Sequence, residues 1–492
     1  MPTLKTNAFY KTAYEIIRFI FPIVTYPYVS RILGPQGIGK VSYAQTIAEY
    51  FIIFSLLGIP LYGSREISKS RINPQRFHQV FSELVSLCFI LSFLAFFLYS
   101  IFIFIFPSIA AERSLHWLFS LTVIFSWANM DWFYQGIENY KYISIRNFII
   151  RLLSLVLIFL IIKKKEDYIV YGLIWVLGTL VSSISNFSYS FKFASLQIKY
   201  LKLKDLLNHL IRSLPTTVLS WMGFIYATID TIMLGAMIQD DKYSVGLYTV
   251  AGRIIRIVLS IIISISTVLL PRFSYLSELK DYDHLNDILR KGIYLLMYIA
   301  IPCFIGIFCI SDNIILIFAG NKFENSITTL KILSCELIFV SIRSIFSNYL
   351  YAISKEKKLV IITILSLLLA IILNALFIPR FKQNGAATAT IICMFIESFL
   401  LIRASRDIKF HSKEWKIIIK IVVVNILFLL GLLILVFSLK QYHLIYSTLL
   451  IIFSSVLLYL ILSIIFRLEP YLIISEWVLA KVKEAFQGKK TL

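Results

Sequence analysis

The chain has 492 residues, 59% of them hydrophobic and only 15% charged, with a formal net charge of +21 and a mean hydropathy of +0.83. Soluble domains are about 45–50% apolar and about 25% charged, so a soluble globular protein is excluded, and intrinsic disorder falls with it. What remains is an all-α polytopic membrane protein.

A spanning helix needs about 20 mostly apolar residues. Fourteen stretches qualify: 12–33, 41–63, 80–106, 115–136, 142–162, 168–191, 211–237, 243–270, 288–310, 327–352, 359–378, 385–402, 417–437 and 444–466. The first carries Glu15 and Arg18 and reads as a retained helix rather than a cleavable signal. The connections are too short to form a separate domain. Five cysteines (Cys88, Cys303, Cys309, Cys335, Cys393) lie in apolar runs without metal-ligand spacing and read as small core residues.

The basic excess is explained by topology before nucleic acid is considered. With the N-terminus inside, inside segments collect 30 Lys and Arg and outside loops 11, counted on the sequence. Cytoplasmic loops are the basic ones, so both termini are expected in the cytoplasm, with an even number of helices. The cluster Lys163–Lys165 is the local exception.

A faint repeat supports two halves. Leu33-Gly34 followed by Ile38-Gly39-Lys40-Val41-Ser42-Tyr43-Ala44 matches Leu234-Gly235 followed by Val245-Gly246-Leu247-Tyr248-Thr249-Val250-Ala251. Six helices separate the copies, so the halves run parallel, as in transporters with a site between repeats. The expected organisation is a six-helix bundle at 1–205, a second at 206–410, and two added helices with a tail at 411–492.

Seven cations fall inside spans: Arg18, Arg151, Arg253, Arg256, Lys331, Arg343 and Lys420. Each costs at least about 2.5–3.5 kcal/mol at the bilayer centre if it faces lipid. Arg253 and Arg256 are three apart and share a helix face. With Arg18, Arg146 and Arg151 they form a set suited to an anionic head group, because the guanidinium fork matches phosphate oxygens. The alternative is that each pairs with a nearby carboxylate or marks a membrane boundary.

Acidic residues inside spans include Glu49, Asp131, Asp230, Glu336 and Glu397. Asp230, Asn374 and Thr388, with Thr390, offer oxygen ligands on three helices. Asp230 thus reads as a Na⁺ or H⁺ coupling site, or as the salt-bridge partner of Arg253 or Arg256. Pro22 and Pro27 are expected to interrupt the first helix and Pro302 the ninth. Trp132, Phe133 and Tyr134 offer faces for sugar stacking, although packing or interfacial anchoring is the commoner use. The phosphate-cradling loop of an ATPase is absent, the six histidines form no metal motif, and no loop can house a catalytic domain. An enzyme is not expected.

Three blocks carry a family resemblance. They are Tyr26-Pro27-Tyr28-Val29-Ser30-Arg31-Ile32-Leu33-Gly34-Pro35-Gln36-Gly37-Ile38-Gly39-Lys40-Val41, Leu57-Gly58-Ile59-Pro60-Leu61-Tyr62-Gly63-Ser64-Arg65-Glu66-Ile67, and Asp131-Trp132-Phe133-Tyr134-Gln135-Gly136-Ile137-Glu138 with Arg146-Asn147 after it. Their order and spacing resemble the O-antigen type polysaccharide flippases of the multidrug/oligosaccharidyl-lipid/polysaccharide exporter superfamily. The resemblance implies two six-helix bundles in a V around a central cationic cavity, plus two C-terminal helices. It implies transfer of an undecaprenyl-diphosphate-linked oligosaccharide to the outer leaflet of a bacterial inner membrane, reset by an ion gradient. It also admits a polysaccharide polymerase and a chain-length regulator as partners. In the related lipid II flippases a Na⁺ site uses an Asp on helix 7 and an Asn on helix 11. Asp230 and Asn374 stand in similar places, but Phe377-Ile378 follow where a second carboxylate would be, which leaves H⁺ open beside Na⁺. The rival readings are a multidrug or cation antiporter of the same superfamily, for which interior arginines are unfavourable, and a membrane polysaccharide polymerase.

Overall fold

The computed structural model describes residues 4–197, 199, 201–405, 412–472 and 475. The described residues form helices joined by short turns, and all fourteen expected stretches are helical. Nine described helices are long and apolar enough to cross a bilayer; a tenth joins them if Leu203–Val218 and Ser220–Met237, bent by 45°, are one span. The chain is a multi-pass membrane protein.

The differences from expectation are breaks, and each has a local cause. Helix α1 (Leu4–Leu56) contains the first two stretches, and its non-helical residue is Gly34, at φ 71° and ψ −178°. Pro22 and Pro27, expected as the interruptions, lie within helical backbone. Gly34 precedes Pro35, and the residue before a proline is pushed out of the α region; glycine alone takes this positive φ without strain. The second stretch ends early, because Leu57 and Gly58 at φ 37° and 68° separate α1 from α2 (Ile59–Ser70). Helix α3 (Pro74–Ile105) starts sharply: the Asn73 side chain accepts from Gln75 N and Arg76 N, and proline occupies the first turn, where its missing N–H costs nothing.

The fourth stretch is split into α4 (Arg113–Ile124) and α5 (Asp131–Gly136) by a 3₁₀ turn at Ser126–Ala128. Then come α6 (Tyr140–Ile161), α7 (Tyr168–Ser190), α8 (Leu203–Met237), α9 (Tyr243–Glu278) and α10 (Tyr282–Cys309). Asp281 caps α10, and the His284 backbone N–H, helped by its ring, holds this exposed carboxyl below the usual range. The cap therefore holds above the ordinary carboxyl range and is lost as pH falls through the lowered one. Helix α11 (Ser311–Phe318) is short, and the tenth stretch divides at Cys335 into α12 (Ser326–Ser334) and α13 (Glu336–Ala352). Helix α14 (Glu356–Ala404) holds the eleventh and twelfth across a break at Lys382. Helices α15 (Ser412–Leu439) and α16 (Leu444–Ile465) follow.

The chain divides into two compact units, Met1–Thr249 with Ile378–Gln383, and Val250–Phe377 with Asn384–Leu492. One core of the first unit gathers Ile59, Phe81, Leu84, Phe133 and Tyr134 from α2, α3 and α5. One core of the second gathers Tyr298, Val424, Phe428, Ile451 and Tyr459 from α10, α15 and α16. Large apolar side chains also cover the outside, such as Phe437 at 83% exposed and Phe453 at 64%. Water would oppose such a surface, whereas lipid accepts it. Cys88 and Cys393 are buried as expected, whereas Cys303, Cys309 and Cys335 are half-buried.

Candidate substrate and ion sites

Arg146 is one of the five arginines singled out from sequence, and the fold buries it on α6. Its Nη2 lies 2.9 Å from Asp131 Oδ1 at the start of α5, and its Nη1 donates to Asn186 Oδ1 on α7. Asn186 Nδ2 donates to the same Asp131 oxygen at 2.9 Å, and the Tyr134 hydroxyl donates to the Asn186 carbonyl. The Tyr142 ring lies 5.6 Å from the guanidinium carbon. A low-polarity site makes such a network costly unless every member is satisfied. Here the carboxylate pairing weighed as the alternative is what the geometry displays. Arg151, five residues on and so on another face of α6, is half-buried, 5.8 Å from the Phe21 ring. The side chain of Arg18 lies outside the described residues.

Trp132, Phe133 and Tyr134 are at most 2% exposed. Packing, not sugar stacking, uses these rings. A different aromatic group lines an open cleft of about 220 Å³ in the first unit: Tyr50, Phe51 and Phe54 of α1, Leu98 of α3, and Trp221 and Phe224 of α8. Sequence reasoning missed it because its members come from three helices. Asp230, 6% exposed, lies further along α8 and accepts the Tyr248 hydroxyl at 2.8 Å. Thr228 Oγ1 lies 3.1 Å from the Tyr50 hydroxyl.

Two of the three sequence blocks converge. Ser64, Arg65, Ser68 and Lys69 of α2 face Gln135 and Glu138 across an open polar pocket of about 490 Å³. Arg71 ties the two blocks by donating to the Gly136 carbonyl and pairing with Glu138 at 3.4 Å.

The third block meets its own repeat. A Cβ on Gly39 would lie 1.9 Å from Lys242 O and 2.9 Å from Gly246 N; one on Gly246 would lie 1.9 Å from Pro35 O. The two glycines matched in the sequence repeat thus bring two backbones into contact. Beside them Lys40 Nζ lies 2.8 Å from Glu112 and 3.0 Å from Asp241, and the Tyr168 hydroxyl donates to Glu112 at 2.9 Å. Lys242 Nζ donates to Gly235 O and sits 4.4 Å from the Tyr43 ring. Burial pushes its ammonium below the ordinary lysine range, against Asp240, Asp241 and Glu112. These residues come from four connections that alternation of spans places on one side of the bilayer. Lys40→Met is expected to destabilise the protein by about 1–3 kcal/mol, read from thermal unfolding. Most of that loss is expected from Glu112, because half-exposed Asp241 is screened. Unchanged melting would remove the ion pair from the account.

In the second unit Arg253 is half-buried and Arg256 exposed, one turn apart on α9. Asn374 is fully buried on α14, and Thr388 Oγ1 donates to Asn384 O at 2.8 Å. Asp230 belongs to the first unit, Asn374 and Thr388 to the second. Arg343, another intramembrane cation, pairs with Glu397 at 3.0 Å. No metal-holding group of three or more His, Cys, Asp or Glu occurs among the described residues.

One buried ionic cluster escaped the sequence reading altogether. Glu83 on α3 is fully buried against His209 on α8. The signal was a carboxylate three residues inside an apolar stretch, but its partner is 126 positions away.

The polysaccharide biosynthesis protein family profile matches residues 4–277, and the MatE profile matches 215–376. An Escherichia coli (strain K12) protein named for O-antigen transport is 21% identical over 412 residues, covering 83% of this chain and 98% of its own. The capsular polysaccharide biosynthesis protein CapF of Staphylococcus aureus is 22% identical, with 75% and 90% covered. Among solved structures, the lipid II flippase MurJ in an inward-closed conformation superposes with a TM-score of 0.74 at 19% identity, covering 94% of this chain and 99% of that one. An inward-facing multidrug resistance MATE family transporter gives 0.64 at 15% identity, with 78% and 93% covered. The chain belongs to the polysaccharide biosynthesis protein family of the multidrug/oligosaccharidyl-lipid/polysaccharide exporter superfamily.

Proposed function

We propose that the protein is a flippase that carries undecaprenyl-diphosphate-linked oligosaccharide repeat units from the cytoplasmic to the outer leaflet of a bacterial inner membrane. The observation that carries this reading is the match to the polysaccharide biosynthesis family across residues 4–277. Relatives named for O-antigen transport and capsular polysaccharide biosynthesis support it. In this reading both termini are cytoplasmic, and a polymerase and chain-length regulator use the product. The chain does no covalent chemistry. Arg253 and Arg256, with Arg18, hold the diphosphate, lowering the cost of moving a doubly charged group past apolar surface. Arg146 is a weaker candidate ligand because Asp131 and Asn186 engage it, and Arg151 stands between. Asp230 couples an ion, H⁺ or Na⁺, with Asn374 and Thr388 as further oxygen ligands, and alternating access moves the head group while the prenyl chain stays in lipid.

The test uses cells lacking the protein. A diphosphate-linked oligosaccharide is expected to accumulate on the cytoplasmic leaflet while surface glycan disappears. Wild type restores export. Arg253→Ala with Arg256→Ala is expected to lower it at least tenfold, since a hydrogen bond to a charged group is worth about 1.5–3 kcal/mol. Full export by a folded, inserted double variant would sink the assignment of these arginines. The MatE match over 215–376 favours a second reading, a drug or cation antiporter. Unchanged surface glycan with increased drug sensitivity would select it.

A further inference from the structure

Three helices of the first unit meet around a buried pair of titratable groups. Glu83 of α3 is 0% exposed and His209 of α8 is 4% exposed. His209 Nε2 lies 2.8 Å from Glu83 Oε2, and His209 Nδ1 lies 2.7 Å from the Tyr62 hydroxyl of α2. Gln79 Nε2 donates to the other carboxylate oxygen at 2.8 Å. The charged groups facing the cluster come from all three helices. Glu66 on α2 and Arg212 on α8 act electrostatically on the Tyr62 hydroxyl, and Arg76 on α3 lies 3.8 Å from Glu83 Oε2. His78 is turned away, accepting the Ser195 N–H at 3.0 Å. Arg76 is 45% exposed, so water reaches within one side chain of the buried carboxylate.

We propose that Glu83, His209 and Tyr62 form a proton-binding site, separate from Asp230, that loads from the aqueous face beside Arg76 and Arg212. Both protonation states keep the Glu83–His209 and His209–Tyr62 hydrogen bonds. In the neutral state the Tyr62 hydroxyl donates to His209 Nδ1, and His209 Nε2–H donates to Glu83. An added proton binds Nδ1, which then donates to the Tyr62 oxygen, while the Tyr62 hydrogen turns away from His209. No covalent bond between heavy atoms changes. The charge of the Glu83–His209 pair goes from −1 to 0.

A purely structural pair would hold one state. In this one both imidazole nitrogens and the Glu83 carboxylate keep a partner in either state, which limits the main cost of changing charge inside a protein. The site also lies where a charge change is felt. Helices α2, α3 and α8 all contact one another there. Helix α8 carries His209 near one end and Asp230 near the other, on either side of its 45° bend and about 30 Å apart along the helix at 1.5 Å per residue. One helix thus bears two groups able to hold a proton, toward opposite faces of the bilayer. Coupling of this proton to transport rests on the flippase reading; the titration itself does not.

The test has two arms on the full-length protein in lipid nanodiscs or vesicles. In the first, ¹⁵N-histidine spectra are recorded from pH 8 to pH 5, with His209→Gln identifying the His209 signals. The ring is expected to change from the Nε2–H form to the doubly protonated form within this series. Glu83→Gln is expected to shift that midpoint down by at least one pH unit, and Tyr62→Phe keeps the packing while removing the hydroxyl. A His209 ring that holds one form throughout, or a midpoint indifferent to Glu83→Gln, would overturn the site. In the second arm, flipping of lipid-linked oligosaccharide is compared with and without an imposed proton gradient. The ratio of the two rates is expected to be several-fold for wild type and about one for His209→Gln, whatever the absolute rates. A variant with the wild-type ratio would overturn coupling through this site. Wild type that flips nothing under any gradient would overturn the flippase reading and the coupling with it, and the spectra would then decide the site alone.

Discussion

Gly246→Ala is expected to lower the melting temperature of the detergent- or nanodisc-embedded protein by about 6–12 °C. The added Cβ would stand 1.9 Å from Pro35 O, 2.7 Å from Pro35 C and 3.0 Å from Pro35 Cα. All three are backbone atoms and cannot rotate away. Overpacking typically costs about 1–3 kcal/mol, and a rigid neighbour places this site at the upper end. At about 2–4 °C per kcal/mol for a unit of roughly 250 residues, that gives the stated range. Gly39→Ala should behave alike, because its Cβ would meet Lys242 O at 1.9 Å. Gly306→Ala is the control. Nothing lies within 4 Å of its Cβ inside α10, and alanine there should stabilise by about 0.5–1 kcal/mol. Equal melting for Gly246→Ala and wild type would mean that the two repeat copies are not in backbone contact.

Arg146→Met is expected to cost about 3 kcal/mol. Losing one partner of a buried ion pair costs about 3–5 kcal/mol. The lower end applies because the Asp131 side chain is 29% exposed while that of Arg146 is 6% exposed. Arg146→Lys should recover only part, since one ammonium cannot reproduce the fork reaching both Asp131 and Asn186. Combining Arg146→Met with Asp131→Leu should recover more, because the stranded carboxylate goes too. The outcome separates the two roles open to Arg146. A stable variant with export lost would assign it to the head group; an unstable one rescued by Asp131→Leu would assign it to the fold.

Much of the architecture was legible along the chain. Spans declare themselves by apolar length, which is a local property, and all fourteen stretches are helical. The breaks were less legible. Proline inside a membrane helix is tolerated when neighbouring groups satisfy the freed carbonyl, so Pro22 and Pro27 did not mark the departure from helix in α1. Gly34 did, where proline follows glycine. The split of the fourth stretch at Ser126–Ala128 has no comparable sequence mark; Ser126 Oγ lies 2.7 Å from Ser55 Oγ and 2.8 Å from Ser92 Oγ, so hydroxyls on three segments meet at the break.

The candidate sites divide in the same way. Intramembrane charge is expensive wherever it occurs, so the sequence alone identified Arg253, Arg256 and Asp230 as residues needing an explanation. It also paired the glycines of the two repeat copies, since a repeat is written in order along the chain. It could not say which cation meets which carboxylate. Arg146 and Asp131 were weighed separately until the helices that carry them came together. Glu83 and His209 drew no notice, because 126 residues lie between them. Hydropathy and charge act residue by residue and therefore determined the class and the spans, and the three contiguous blocks carried the family resemblance. Pairing, burial and close approach depend on distances between remote segments, and only the tertiary structure decided those.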